Sequence, residues 1–473
     1  MKKPLNRTTH PAVKLPVKVL QFGEGNFLRA FTDWMIDIMN ERTRFNGAIQ
    51  VVQPLEQGTG NLLNEQHGLY HVVLKGLINQ KTVNQIRLIT SVNGAINPYH
   101  DYSLFIKQAE NPDLKFVISN TTEAGICFNP ADNSPDQVPH TFPGKLTALL
   151  FHRFKYFNES NESGLILLPC ELIDKNADTL KSVIGQYIKH WNLPAAFRTW
   201  VETKNIFCNT LVDRIVPGYP KDFINEIERE TGFTDQLIVM GEPFHLWVIE
   251  GDESVERLFP AKQASLNVKF VTDVTPYRTR KVRILNGAHT AMVPVAYLRG
   301  LRTVQEAMED RFTHYFIRKA VFEEILPTLD LPAEELINFA TQVLERFVNP
   351  FIRHELISIS LNSISKFRVR VLPSILEYVK RKNALPEHLV FSLAALIRFY
   401  KGSWQGAPIP LNDTPDVLQF AQEAWKHTDV HTVAQVFLSN TRLWHVDLTA
   451  IPDLTGQVTK ILQQLETEER VFG

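Results

Sequence analysis

Short apolar runs alternate with helical periodicity through the first half of the chain. "VKVLQF" (17–22), "IQVVQ" (49–53), "KFVIS" (115–119) and "LILLP" (165–169) are rich in β-branched residues and show little polar alternation. Runs of that kind predict strands covered on both faces, as in a parallel sheet. Between the first two, "NFLRAFTDWMIDIMNE" (26–41) sets Phe27, Phe31, Trp34, Ile38 and Met39 at spacings of three and four. That spacing predicts one side of an amphipathic helix. Strand, tight turn, helix and strand in succession form a βαβ unit and open an α/β domain.

From about residue 280 the pattern changes. "LPAEELINFATQVLERF" (331–347) places Leu336, Phe339, Val343, Leu344 and Phe347 on one flank, and "PEHLVFSLAALIRFY" (386–400) is apolar on almost all sides. The first predicts a helix lying on a core and the second a helix deep within a bundle. Strand-like runs become scarce. A proline and a charge cluster in "VTDVTPYRTR" (271–280) mark the break, so an α/β domain over 1–275 and a mainly α-helical domain over 276–473 are expected.

A chain of 473 residues exceeds one compact core, which agrees with that division. Fifty basic residues against 51 acidic ones give a formal charge of −1. The balance argues against a nucleic-acid or membrane-surface partner, whose footprint is a basic excess. Cys127, Cys170 and Cys208 lie far apart, with no CxxC and no His/Cys group at ligand spacing, so neither a disulfide framework nor a bound metal is expected. The first 20 residues lack an apolar segment with a cleavage site, and no apolar run approaches the ~18 residues of a membrane span. A cytoplasmic, reduced protein is the expectation.

Candidate chemistry sits at two places. "VLQFGEGNFLRAF" puts Gly23 and Gly25 directly after a strand and before a helix. The first glycine permits the tight turn, and the second lets a pyrophosphate approach the helix N-terminus. Leu28 stands where GxGxxG has its third glycine. In this order of elements the turn predicts a Rossmann-type dinucleotide site. Past the second strand, Glu56 is the acid able to meet a ribose hydroxyl, and no arginine flanks Gln53 to receive a 2′-phosphate; both features favour NAD over NADP.

The second place is "RKVRILNGAHT" (280–290). On a regular helix Lys281 and His289 stand about 80° apart, with Asn286 about 60° beyond His289, so all three share one broad face. An amine, an amide and an imidazole there suit metal-free exchange between alcohol and ketone. Lys281 would take the hydroxyl proton, provided burial and the cations Arg278, Arg280 and Arg283 make its amine less basic. Asn286 and His289 would donate hydrogen bonds to the oxygen that becomes negative. A solvated basic helix start with a structural histidine is the alternative that spacing leaves open.

Lys281-x4-Asn286-x2-His289 resembles the signature of the polyol-specific long-chain dehydrogenases, the mannitol dehydrogenase family. "FGEGNFLRAF" is similar to that family's cofactor turn, and "SNTTEAG" (119–125) to its segment after the fourth sheet strand. "TLVDRIVPGYP" (210–220), "EPFHLWVIEGD" (242–252) and "RFVNPFIRHELISISLNSISKFRVRVLP" (346–373) resemble three more of its segments, in the same order. The resemblance implies an N-terminal Rossmann-type domain, a helical C-terminal domain and NAD as cofactor, held by Phe22, Gly23, Gly25, Asn26, Phe27, Glu56 and Thr122. It also implies Lys281 as general acid/base, with Asn286 and His289 on the substrate oxygen and Asp213 on substrate hydroxyls. Where the mannitol enzymes carry an asparagine, "PCELIDKN" has Leu172, which cannot donate a hydrogen bond. That departure weakens mannitol itself as substrate and fits a branch with altered recognition; the resemblance implies a sugar acid. The carboxylate of such a substrate calls for a cation, and Arg214, Arg346, Lys366 and Arg370 are the candidates; Lys366 and Arg370 are one helical turn apart. A fructuronate reductase, a neutral-polyol dehydrogenase and a catalytically inactive dinucleotide-sensing protein are the rival readings.

Overall fold

The computed structural model describes residues 2–467 except 79, 123 and 352. The chain divides into two compact units, Met1–Val274 and Thr275–Gly473.

The N-terminal unit is built on a six-stranded parallel sheet of β1 (Val17–Phe22), β2 (Ala48–Val52), β3 (Val92–Ile96), β4 (Phe116–Ser119), β5 (Ile166–Pro169) and β6 (Ile206–Phe207). Its spatial order is β3-β2-β1-β4-β5-β6. This is the order of doubly wound dinucleotide-binding sheets, and it reverses direction between β1 and β4. Alternate residues feed two cores. Val19, Ile49, Val51, Phe116, Ile118, Ile166 and Leu168 bury on one face, and Leu20, Phe22, Val52, Val117 and Leu167 on the other. Both faces are covered, which is why these strands read as unbroken apolar runs.

Two smaller sheets complete the unit. Tyr70–Ile78 pairs antiparallel with Lys81–Ile89 and parallel with Val239–Gly241. Leu246–Glu250 lies between Thr210–Asp213 and Val268–Val271.

The helix after β1 departs from the amphipathic expectation. It runs as Asn26–Leu28, a π-turn at Arg29–Asp33, and Trp34–Arg42, with every residue from Leu28 to Met39 buried. Its polar residues find partners inside. Asp33 accepts from Tyr70 Oη at 2.6 Å, and Asp37 from Arg87 Nε at 2.7 Å and the Thr90 N–H at 2.8 Å. Arg29 donates to Asn26 Oδ1 at 2.6 Å, to the Glu24 carbonyl at 3.1 Å and to the Leu237 carbonyl.

His245 ties the strand Leu246–Glu250 to its surroundings. Its Nε2 accepts the Asn267 N–H at 2.9 Å, Nδ1 lies 3.3 Å from the Pro243 carbonyl, and the ring edges onto Trp34. Burial, and next the Arg214 charge, push its pKa down to about 3. Between pH 6.5 and 3 the unfolded chain therefore binds a proton that the folded chain refuses. The stability conferred by the neutral ring is complete above pH 6.5 and is lost as the pH falls. Urea unfolding over that range is expected to lose up to about 1.4 kcal/mol per pH unit from this residue. In His245→Gln that component of the slope should vanish; an unchanged slope would assign the acid lability to other groups.

The C-terminal unit is mainly helical, and its strands among the described residues are the two-residue pair Ser403–Trp404 and Ala407–Pro408. Ala333–Phe347 buries Leu336, Phe339, Val343, Leu344 and Phe347, the flank its periodicity predicts. Glu387–Phe399 is buried on nearly all sides and packs against Gly287–Leu298 and Leu454–Thr467. No described helix is long and apolar enough to cross a membrane.

Candidate active site

In the N-terminal unit the glycine turn stands at the carboxyl end of β1, beside the reversal in strand order. Gly23 has φ +118°, and a Cβ there would come within 3.0 Å of the Asn120 carbonyl oxygen after β4. A side chain at residue 23 would therefore meet both backbone strain and a collision. In front of Gly25 the space is open, with nothing within 4 Å of an added Cβ. The helix that follows presents its first N–H groups there, unmatched by intrahelical carbonyls. An open approach to a helix N-terminus fits a pyrophosphate.

The turn is braced by residues that the sequence pattern does not single out. Gln21, fully buried, donates to the Gly23 carbonyl at 3.1 Å and accepts from Thr32 Oγ1 at 2.9 Å. Glu171 holds the opposite loop, accepting the Thr121 N–H and Oγ1 at 3.0 Å each and Ser119 Oγ at 3.0 Å. The next residue, Thr122, is exposed and has φ +92°. A β-branched residue in that conformation is strained by about 1–3 kcal/mol, and such strain clusters at functional sites. An acid directly after an apolar strand, as in "LILLPCE", is the signal that points to Glu171.

Among the residues read as cofactor contacts, Phe22 requires correction. Its side chain is wholly buried against Phe105 and Phe142, so only its backbone remains for such a role. Asn26 is exposed at the helix start, and Phe27 stacks on Phe31 at 4.9 Å. Glu56 is exposed on the loop after β2, whose backbone is anchored through the Glu56 carbonyl by Gln53 at 3.0 Å and Asn97 at 3.1 Å.

Arg214 does not serve as a carboxylate clamp. Its guanidinium is buried in the N-terminal unit and lies 4.1 Å from the Trp34 ring centroid. It donates to the carbonyls of Ala30 at 2.5 Å, Phe244 at 3.1 Å and Pro243 at 3.2 Å. Burial pushes its pKa down to about 9. Asp213 is buried at the end of Thr210–Asp213. Glu242 is buried and accepts the Ile215 N–H at 2.7 Å, a structural role.

In the C-terminal unit the segment carrying Lys281, Asn286 and His289 is not a regular helix. Thr275–Lys281 leads into a π-turn, Val282–Asn286, and then Gly287–Leu298. The Gly287 N–H reaches back five residues to the Val282 carbonyl. A π-turn absorbs one extra residue, about 100° of rotation, so the separation of Lys281 from Asn286 falls from about 140° to about 40°, and from His289 to about 20°. The three side chains thus share a narrow stripe in place of a broad face. Lys281 and Asn286 are half-buried and His289 is buried.

His289 is fixed by rings. It stacks on Phe347 at 4.0 Å, 13° from parallel, and meets His354 edge-on at 5.1 Å. His354 lies between helices, where no periodicity marks it in the sequence. Burial, and then the Lys366 charge, lower its pKa. Lys366 and Arg370 occupy one helix, Ser363–Arg370, which packs against Gly287–Leu298. Arg370 reaches Thr290 Oγ1 at 3.5 Å, one residue beyond His289. Lys366 donates to the Ile359 carbonyl at 2.8 Å; burial, followed by the nearby Arg370, holds its ammonium below the usual lysine range. Arg346 is buried near the end of its helix.

Two of the three arginines expected to act on Lys281 have partners of their own. Arg280 pairs with Glu335 at 2.5 Å and lies over Phe339, while Arg283 donates to Ser374 Oγ at 2.6 Å and Thr328 Oγ1 at 3.0 Å. Residues two apart on a helix face apart, and the Glu335 carboxylate offsets the Arg280 charge. Among the described residues, no group of three or more His, Cys, Asp or Glu could hold a metal ion.

Residues 17–261 match the family model of the mannitol dehydrogenase Rossmann domain, and residues 273–466 that of the mannitol dehydrogenase C-terminal domain. An altronate oxidoreductase of Yersinia enterocolitica is 47% identical over 467 residues, covering 98% of this chain and 97% of the relative. Two solved structures share the fold. One is a substrate-free D-sorbitol dehydrogenase, with a TM-score of 0.82 at 20% identity, covering 98% of both chains. The other is Pseudomonas fluorescens mannitol 2-dehydrogenase in ternary complex with NAD and D-mannitol, with a TM-score of 0.71 at 22% identity, covering 98% of this chain and 97% of that one. A doubly wound unit followed by this helical one, with such relatives, defines an oxidoreductase acting on CH–OH groups. The chain belongs to the mannitol dehydrogenase family.

Proposed function

We propose that this enzyme catalyses the reversible, NAD(H)-dependent reduction of D-tagaturonate to D-altronate in hexuronate breakdown. The observation that carries the reading is the pairing, within one unit, of the Lys281–Asn286–His289 stripe with the cations Lys366 and Arg370. A sugar acid brings a carboxylate that two half-buried cations, one helical turn apart on Ser363–Arg370, can hold together. The altronate oxidoreductase relatives support the same substrate class.

In reduction, the Lys281 ammonium gives a proton to the oxygen of the former carbonyl; in oxidation, its neutral amine takes the hydroxyl proton. Asn286 and His289 donate hydrogen bonds to that oxygen while it carries negative charge, and the Phe347 stack keeps the imidazole aimed. Lys366 and Arg370 hold the carboxylate, and Asp213 accepts from a substrate hydroxyl. The dinucleotide, when bound, supplies or receives the hydride. Gly23 and Gly25 give its pyrophosphate room, with Asn26, Phe27, Thr122 and the Phe22 backbone lining the same corner.

Following NADH oxidation with tagaturonate, fructuronate and fructose side by side tests the reading. The largest kcat/KM is expected with tagaturonate and the smallest with fructose. Preference for fructuronate would move the assignment within the sugar acids, and preference for fructose would remove the role of the cations. NADH binding without turnover of any of the three would leave a binding protein.

A further inference from the structure

In doubly wound sheets an acid at the end of β2 reads the adenosine ribose and excludes a 2′-phosphate. Here that place is taken by Gln53, which is buried and fully engaged. Its Nε2 donates to the Leu55 carbonyl at 2.8 Å and the Glu56 carbonyl at 3.0 Å, and its Oε1 accepts the Gly60 N–H at 3.1 Å. Glu56 projects its side chain from an exposed loop, where charge is screened.

A different carboxylate reaches this corner from inside the glycine turn. Glu24, between Gly23 and Gly25, lies across the loop after β2. Its Oε1 sits so close to Gly58 that a Cβ there would be 2.2 Å away, and it faces the Thr59 N–H at 3.4 Å. Burial, its largest influence, raises the pKa of this carboxyl. Its position is therefore set from both sides, by the turn that carries it and by a glycine that admits it. The Thr59 N–H, its own backbone N–H and the Arg29 charge all favour the ionised form, and thus a carboxylate able to accept from a ligand hydroxyl.

We propose that Glu24 is the specificity-determining acid of the cofactor site, accepting the adenosine ribose hydroxyls of NAD(H) and repelling the 2′-phosphate of NADP(H). The proposal rests on the NAD(H) reading above. A vicinal diol offers two donors to one carboxylate, whereas a 2′-phosphate brings negative charge against it. Because the acid belongs to the turn that also admits the pyrophosphate, ribose and phosphate recognition are coupled through three consecutive residues, 23–25.

The test measures Kd for NADH and NADPH by fluorescence titration of the full chain, with ADP-ribose and 2′-phospho-ADP-ribose as competitors, in wild type, Glu24→Gln, Glu24→Ser and Glu56→Gln. Wild type is expected to prefer NADH. Both Glu24 variants are expected to weaken NADH by about tenfold, the loss of one charge-assisted hydrogen bond, and to narrow the preference by at least that factor. Glu56→Gln should change it by no more than about twofold, as befits an exposed charge. Equal unfolding midpoints show that the variants are folded, and either Glu24 variant suffices if the other is not. Unchanged preference in the folded Glu24 variants overturns the proposal, as does collapse of preference in Glu56→Gln alone. Wild type binding neither dinucleotide would overturn the cofactor reading itself, a separate result.

Discussion

Lys281→Ala is expected to lower kcat for tagaturonate reduction by about 10³-fold, the effect of removing a positioned general acid/base. The loss corresponds to about 4 kcal/mol of transition-state stabilisation. The Kd for NADH, read by fluorescence titration without substrate, should stay within about twofold, since Lys281 belongs to the helical unit and not to the glycine turn. Lys281 is half-buried, and shortening it leaves a gap beside Asn286 and His289 that a small amine can enter. Added ethylamine is therefore expected to restore part of the rate in Lys281→Ala and to leave wild type unchanged. A variant that keeps kcat within tenfold of wild type, or one deaf to every small amine, would move the proton transfer to another group.

Arg214→Ala should do the reverse, damaging the fold and sparing the chemistry. Three backbone carbonyls and the Trp34 face take up the whole guanidinium. Truncation strands those carbonyls in a dry interior and opens a cavity, an expected loss of about 3–5 kcal/mol in unfolding free energy. Arg214→Lys should recover little of it, because one ammonium cannot reach three divergent acceptors from a fixed fork. Urea unfolding of the three proteins measures this. The KM for the sugar acid in the folded fraction should remain within about threefold, as for a residue that does not touch substrate. A tenfold rise in KM with stability intact would return Arg214 to the carboxylate.

The contrast between these residues shows what the amino-acid pattern encodes and what it leaves to the tertiary fold. Four strands of the parallel sheet are legible because each is covered on both faces. β3 escapes notice because "VNGAI" interrupts its apolar residues with Asn93 and Gly94, and β6 because it is two residues long. The helix after β1 looks half-solvated since Arg29, Asp33 and Asp37 are charged. Their partners, Tyr70, Arg87 and Leu237 among them, come from distant segments that no local window contains. Arg214 misleads for the same reason, its acceptors lying at residues 30, 243 and 244. Lys366 and Arg370 are legible as a pair because four-residue spacing on a helix is a local property. His354 is not, because it meets His289 only through folding.

The π-turn at Val282–Asn286 has a further consequence for how such a chain can vary. Were the same residues to relax into ordinary helix with no change of length, the amine would swing from the amide and imidazole by roughly a quarter turn. Removing one residue from 282–285 would instead leave four regular steps between amine and amide, again about 40°, on an unbroken hydrogen-bond ladder. Chain length and helix pitch thus compensate here: a homologue one residue shorter could keep the stripe on a plain helix, whereas one of equal length needs the bulge.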